Sequence, residues 1–227
     1  MDNEFKVIRQ SLIEWCPVNG TDCMLIINEP EGFMDELMSK RCSVTSADSY
    51  EDVLSICNRK EQFDIILMYD LYGFALHTGN SSLETLLSTL LSLKREGGRL
   101  LLALENKLGM KYWAGCQEEQ KGGYYIGIED YKEWTDKIKP LSKKELEEVL
   151  QGFDDISYKF YYPYPDYKYP TIIYTDECLP SEGELFRNNR NIDRERYIVI
   201  DETKAYDSVI KAGLFAEFSN SYLISIV

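Results

Sequence analysis

Several polar residues of this sequence fall directly behind short apolar runs, where a strand end can present them to a ligand. Glu105 and Asn106 follow Leu100-Leu-Leu-Ala-Leu104. A carboxylate in that place can hold a cationic amine or a sugar hydroxyl, and Asn106 can accept or donate a hydrogen bond beside it. The competing reading is that the pair caps the strand and ties down the loop carrying Lys107, Lys111 and Trp113. Tyr69 and Asp70 follow Phe63-Asp-Ile-Ile-Leu-Met68 and face either a bound adenosine group or substrate, or only solvent. Asp48 stands about 20 residues beyond the turn Asn28-Glu-Pro-Glu-Gly32, an interval that suits a contact to ribose hydroxyls, or it is the acid that holds adenine; its alternative is to cap the helix that follows. Gly32 can let a ligand approach bare backbone or can simply turn the chain. His77 is the one imidazole. It serves as a general base only if its loop turns it inward. No G-x-S-x-G elbow and no Walker loop occurs, which removes the serine hydrolases of that type and the P-loop enzymes.

The elements that position these residues follow from periodicity. Phe5, Ile8, Leu12 and Ile13 share one face of a helix over residues 1–20, closed by Pro17 and Gly20. Met24–Ile27, Ser43–Ser46, Phe63–Met68 and Arg99–Leu104 read as strands, three of them continuous apolar runs. Phe33, Met34, Leu37 and Met38, and later Val53, Leu54 and Cys57, recur at helical spacing, with Asp48 or Ser49 as the cap of the second helix. Ser81 to Glu84 reads as a capping box opening a helix whose Leu83, Leu86, Leu87, Leu90 and Leu93 form one stripe, ended by Gly97-Gly98. Ser142 to Glu145 is a second box, with Leu141 and Leu146 as its hydrophobic staple. Tyr158–Tyr162 and Tyr222–Val227 are strong strand candidates, and Ile172–Tyr174 and Tyr197–Ile200 are weaker ones.

Short apolar strands alternating with helices predict an α/β fold with a Rossmann-like, doubly wound and mostly parallel sheet, finished by antiparallel C-terminal strands. In such a sheet a ligand sits beyond the carboxyl ends of the strands, at the point where strand order reverses. One domain is expected over residues 1–227, with residues 160–215 as an insertion or lid between the last two sheet strands. Tyr158, Phe160 and Tyr162 alternate onto one face and pack the core, and the prolines beyond them stiffen the turn; stacking of the tyrosines on sugar rings is the other reading.

Composition narrows the partners. The chain has 227 residues, 25 bases against 39 acids, and a net charge of −14. That balance argues against nucleic acid and against anionic lipid. No apolar run approaches the roughly 20 residues of a membrane span, and the N-terminus lacks the layout of a signal peptide. Six scattered cysteines without a C-x-x-C pair, and a single histidine, predict reduced thiols in a cytoplasmic protein and no metal site.

The stretch from Phe63 through Leu91-Ser-Leu-Lys-Arg-Glu-Gly-Gly-Arg-Leu-Leu-Leu-Ala-Leu-Glu105 resembles the class I S-adenosylmethionine (SAM)-dependent methyltransferases, whose sheet ends in an antiparallel pair. It looks like that family's fourth strand, the following helix, a Gly-Gly turn and the fifth strand. Glu105 to Gly115, Tyr161-Tyr-Pro-Tyr-Pro-Asp-Tyr-Lys-Tyr-Pro170 and Phe218-Ser-Asn-Ser-Tyr-Leu223 resemble a group of bacterial methyltransferase-like domains found with glycosyltransferases of surface-polysaccharide assembly. The resemblance implies SAM as cofactor, with Asn28, Gly32, Asp48 and Tyr69 toward it. It also implies Glu105, Asn106 and Asp70 toward a small-molecule or saccharide acceptor, and a homodimer or a glycosyltransferase as partner.

The front of the chain departs from that pattern. Active members carry a G-x-G-x-G turn whose backbone N–H groups meet the cofactor. Here Asn28-Glu-Pro-Glu-Gly32 keeps one glycine, Pro30 has no N–H, and two glutamates add negative charge. Residues 49–62 leave room for one helix where the family has a helix, a strand and a helix, so one edge strand-helix unit, the second or the third, is expected to be missing. Two functions follow as expectations: methyl transfer from SAM, or a catalytically inactive methyltransferase-like scaffold.

Overall fold

The computed structural model describes residues 12, 18–30, 42–76, 78, 81–185 and 197–227. The helix expected over residues 1–20 therefore lies almost wholly outside the described residues, as do Gly32 and His77. The strands are β1 (Cys23–Ile27), β2 (Ser43–Ala47), β3 (Phe63–Tyr69), β4 (Lys94–Glu105), β5 (Tyr158–Tyr164), β6 (Ile172–Thr175) and β7 (Ser221–Ile226). They form one sheet in the order β2-β1-β3-β4-β7-β5-β6. β2, β1, β3 and β4 are mutually parallel, while β7 runs antiparallel between β4 and β5, and β6 antiparallel to β5. The helices are α1 (Tyr50–Asn58), α2 (Leu71–Ala75), α3 (Leu83–Ser92), α4 (Met110–Trp113), α5 (Lys143–Leu150), α6 (Glu202–Lys211) and α7 (Phe215–Phe218). None of the described helices is long and apolar enough to cross a membrane.

The apolar runs are buried on both faces, as a doubly wound sheet demands. Leu25, Ile27, Ile66, Met68, Leu100, Leu102 and Leu104 pack one face, and Met24, Ile26, Ile65, Leu67, Leu101 and Ala103 pack the other. Along each strand, neighbours alternate between the two clusters because side chains project alternately. The leucine stripe of α3 is wholly buried in the first cluster. Tyr162 and Phe160 join it and meet Tyr222 edge to face at 6.0 and 5.3 Å. This is the Rossmann-like arrangement that the sequence predicts, with its antiparallel finish.

β2 pairs directly with β1, and α1 alone connects β2 to β3. The missing strand-helix unit is thus the one that would follow β2, and its loss leaves β2 at the edge of the sheet. At the other edge β6 adds a strand, so part of the stretch expected as a lid belongs to the sheet.

Three local expectations are corrected. Ser82, not Ser81, caps α3 by accepting from Thr85 N–H at 3.3 Å, one residue nearer the first buried leucine. Gly97-Gly98 does not end that helix, which stops at Ser92. The two glycines lie inside β4 in a bulge, where the partner of β3 jumps from Lys94 to Arg99. Tyr197–Ile200 is irregular and exposed, because it lies against the backbone of Gly115 instead of a sheet edge; Val199 N–H donates to Ala114 O at 3.3 Å. A β-branched run forms no strand without a ladder to join.

The bulge gives a direct test. Arg95 crosses from it to Asp64 at 2.7 Å, and a Cβ on Gly98 would stand 2.8 Å from Asp64 O and 3.1 Å from Phe63 O. Gly98→Ala is expected to lower the urea unfolding free energy by about 1–3 kcal/mol through overpacking. An unchanged unfolding midpoint would show that β3 and β4 do not approach this closely.

Candidate functional site

The carboxyl ends of β1, β2, β3 and β4 reach one edge of the sheet, and strand order reverses between β1 and β3. Asn28, the first residue beyond β1, holds φ at 59°. Glycine takes this left-handed conformation freely, and asparagine takes it better than most residues. Its N–H donates to Ala47 O at 3.0 Å and its side-chain amide donates to Tyr69 O at 3.1 Å. One asparagine therefore joins the tips of β2 and β3 across the end of β1.

Asp48 follows β2 beside it. Ser49, rather than Asp48, caps α1, accepting from Asp52 N–H at 3.1 Å while Asp52 reaches back to Ser49 N–H at 3.1 Å. The Asp48 carboxylate is released from the capping role and stays exposed at the strand tip.

Asp70 has φ 52° and caps α2, accepting from Gly73 N–H at 3.1 Å and from Gln120 Nε2 at 3.3 Å. Gly73 must be small: a Cβ there would stand 2.3 Å from Asp70 Oδ2. Tyr69 turns its ring toward Tyr167, edge to face at 5.2 Å.

Glu105 closes β4 and is completely buried. Tyr112 OH donates to it at 2.9 Å, and Lys168 Nζ stands 3.3 Å away. Lys168 also bonds Glu119, and Lys111 bonds both Glu119 and Asp166, the latter at 2.7 Å. Three carboxyls and two ammonium groups thus share one buried cluster, contributed by β4, α4, the loop after it and the turn between β5 and β6.

The electrostatics follow from burial. Burial pushes Glu105 well above the usual glutamate range, and the Glu119 charge adds to that, against the pull of Lys111 and Lys168. Burial also raises Asp166, opposed first by Lys111. Burial alone would lower Lys111, but Asp166, Glu119 and Glu105 together hold its ammonium well above the ordinary lysine value. The Tyr167 phenol is raised by burial, then by the charges of Asp70 and Glu105.

Asn106 takes a different part. Its amide donates to Glu217 O and Ser219 O, both at 2.8 Å, and its carbonyl accepts from Leu108 N–H at 3.0 Å. Asn220 answers from the other side, accepting from Lys111 N–H and donating to Pro165 O, both at 2.8 Å. Gly109 sits so near Asn220 that a Cβ would approach its Cα to 2.9 Å. The three motifs 105–115, 161–170 and 218–223 therefore meet at the end of β4.

Of the expected residues, Asn28, Asp48 and Tyr69 lie around the switch point, Glu105 belongs to the buried cluster, Asp70 caps α2, Asn106 ties the end of β4 to residues 217–219, and Gly32 lies outside the described residues. Lys111, Glu119, Asp166, Tyr167 and Lys168 escaped assignment from sequence. The available signal was Asp166-Tyr-Lys168, two opposite charges inside a run of tyrosines and prolines.

No family profile matches the chain, and no curated protein matches it. Solved structures do. Phosphoethanolamine N-methyltransferase 2 of Haemonchus contortus, in complex with phosphomonomethylethanolamine and S-adenosylhomocysteine (SAH), aligns with 96% of this chain at 14% identity and TM-score 0.45. The chain spans about half of that enzyme, 51% of its length. The plantazolicin methyltransferase BpumL with SAH aligns over 98% of this chain and 82% of its own, at 14% identity and TM-score 0.43. The O-methyltransferase from Bacillus cereus with SAH aligns over 100% and 81%, at 11% identity and TM-score 0.41.

The raised carboxyls make a pH prediction. Above the ordinary glutamate range the unfolded chain has lost the proton that folded Glu105 keeps, so stability falls as pH rises. Asp166 and Glu118 act in the same sense, whereas Glu145 and Asp64 are held low and titrate beneath this window. Urea unfolding between about pH 5 and 8 is expected to show declining stability, and Glu105→Gln is expected to flatten the decline. A wild-type stability that climbs through this range would contradict the assignment.

Proposed function

We propose that this chain binds SAM at the switch point between β1 and β3 and is a methyltransferase acting on a small-molecule or saccharide acceptor. The observation that carries the reading is Asp48: exposed at the tip of β2, freed from capping by Ser49, and set beside the left-handed Asn28. An acid in that position is suited to accept from both ribose hydroxyls of an adenosine cofactor. Tyr69 ends β3 on the other side of the switch point.

The residues present fit the two halves of the cofactor unequally. The adenosine half has Asp48 and the ring of Tyr69. Toward the amino-acid half, the Asn28 N–H is already bonded to Ala47 O, and Pro30 has none to donate. When bound, SAM supplies an electrophilic methyl group on a sulfonium. The chain's own part is to hold the ribose through Asp48 and to orient the acceptor from Asp70 and Glu105.

The second reading is a catalytically inactive methyltransferase-like scaffold in surface-polysaccharide assembly with a homodimer or glycosyltransferase partner, and two observations bear on its lack of turnover. The engaged donors around residue 28 and the complete burial of Glu105 and Asn106 both favour binding without turnover.

Calorimetry with SAH tests the shared premise. A hydrogen bond to a charged group contributes roughly 1.5–3 kcal/mol, so Asp48→Asn is expected to weaken SAH at least tenfold without changing the melting temperature of the free protein. Absence of SAH binding to the wild type at about 1 mM, weaker than −4.1 kcal/mol, would remove the proposal. Methyl transfer from labelled SAM separates the readings: transfer supports the enzyme, and SAH binding without transfer supports the scaffold.

A further inference from the structure

We propose that the loop after α4 carries a binding pocket for an uncharged sugar ring. The role of that sugar as acceptor rests on the methyltransferase reading, whereas its binding does not. Residues between Lys121 and Trp134 line a cavity of about 470 Å³, inside the roughly 300–1,000 Å³ of small-molecule sites. Tyr131 and Trp134 form an aromatic corner of it, their rings 4.8 Å apart and inclined at 69°. Tyr131 contributes its ring, because its hydroxyl is buried beside Gly127, where a Cβ would stand 2.9 Å from it. Trp134 is fixed by its indole N–H, which donates to Ile138 O at 3.1 Å. Ile126 extends the apolar wall.

The polar lining says what ligand suits these rings. Two ammonium groups, Lys121 and Lys132, stand against two carboxylates, Glu129 and Glu133. Lys132 pairs with Glu129 at 3.6 Å, and Lys121 pairs with Asp136 while its Nζ lies 4.4 Å from the centre of a Trp134 ring. A lining balanced in charge selects for no net charge on its ligand. It does offer donors and acceptors side by side next to apolar faces. A sugar ring answers both: its C–H face packs on an aromatic ring, and its hydroxyls donate to carboxylates and accept from ammonium groups. A purely apolar ligand would desolvate those groups without replacing their hydrogen bonds.

The loop is also built at a cost and anchored to the site. Tyr125, Asp130 and Tyr131, none of them glycine, hold φ at 64°, 61° and 51°. Such backbone persists only where its surroundings enforce it, and it gathers at ligand clamps. Gln120, next to Lys121, donates to Asp70 at 3.3 Å, and Lys107 reaches Asp130 at 3.0 Å. The pocket thus belongs to the carboxyl edge of the sheet, beside the ends of β3 and β4. Glu129, Lys132 and Glu133 are exposed, so a ligand can enter from solvent.

The test is ligand-observed NMR on the full chain with the methyl glycosides of glucose, galactose and mannose, with cyclohexanol as the apolar control, glucose 6-phosphate as the charged one, and SAH titrated separately. At least one glycoside is expected to bind about tenfold more tightly than either control. Trp134→Ala is expected to abolish that binding. Glu129→Ala combined with Glu133→Ala alters only exposed side chains, and is expected to weaken the same glycoside at least about threefold while the melting temperature stays within a few degrees of wild type. Absence of glycoside binding at about 50 mM, a concentration that detects millimolar affinity, would overturn the proposal. So would equal binding of either control, or full affinity in the double variant or in a folded Trp134→Ala protein. Glycoside binding without SAH binding keeps the pocket and removes the cofactor reading; SAH binding without glycoside binding removes the pocket alone.

Discussion

A carboxyl group taken wholly out of water at the end of a central strand organises everything around it. Glu105 closes β4, the strand on which the parallel half of the sheet meets the antiparallel half, and its burial has to be matched by donors and cations from elsewhere. Tyr112 comes from α4, Lys168 from the β5–β6 turn, and Lys111 and Glu119 extend the match into the following loop. Removing one partner of a buried ion pair typically costs about 3–5 kcal/mol. The cluster therefore pins segments separated by some sixty positions of sequence, and Asn106, Gly109 and Asn220 hold the same junction through main-chain contacts.

This junction divides the edge of the sheet into two parts with different chemistry. Around β1 and β2, among the described residues, Asp48 is exposed and Asn28 half-buried. Around β3 and β4 the groups are buried and dense. The two parts meet where the Tyr69 ring touches that of Tyr167. The left-handed bend after β1 is supplied by Asn28, whose side-chain amide donates to Tyr69 O.

Much of the fold was legible because it depends on local pattern. Leu83, Leu86, Leu87, Leu90 and Leu93 announce α3, and the apolar runs at 24–27, 63–68 and 99–104 announce β1, β3 and the core of β4. The lost strand-helix unit was legible from length alone. Where the sequence misled, a tertiary contact had overridden a local signal: Gly97-Gly98 reads as a helix stop but serves a bulge against Asp64 O, and Tyr197–Ile200 has strand composition without a strand to join. The site was legible at strand ends, since residues following apolar runs must emerge there. Tyr167 and Lys168 were not, because their place depends on a turn brought back from the far edge of the sheet, which no local spacing reports.

The measurement closest to the centre of this account is a direct NMR titration of the Glu105 side-chain carboxyl in the folded protein. Burial and the Glu119 charge outweighing Lys111 and Lys168 predicts a midpoint well above the usual glutamate range. A midpoint at or below that range would mean that Lys111 and Lys168 outweigh burial and hold Glu105 as the carboxylate of a buried ion pair.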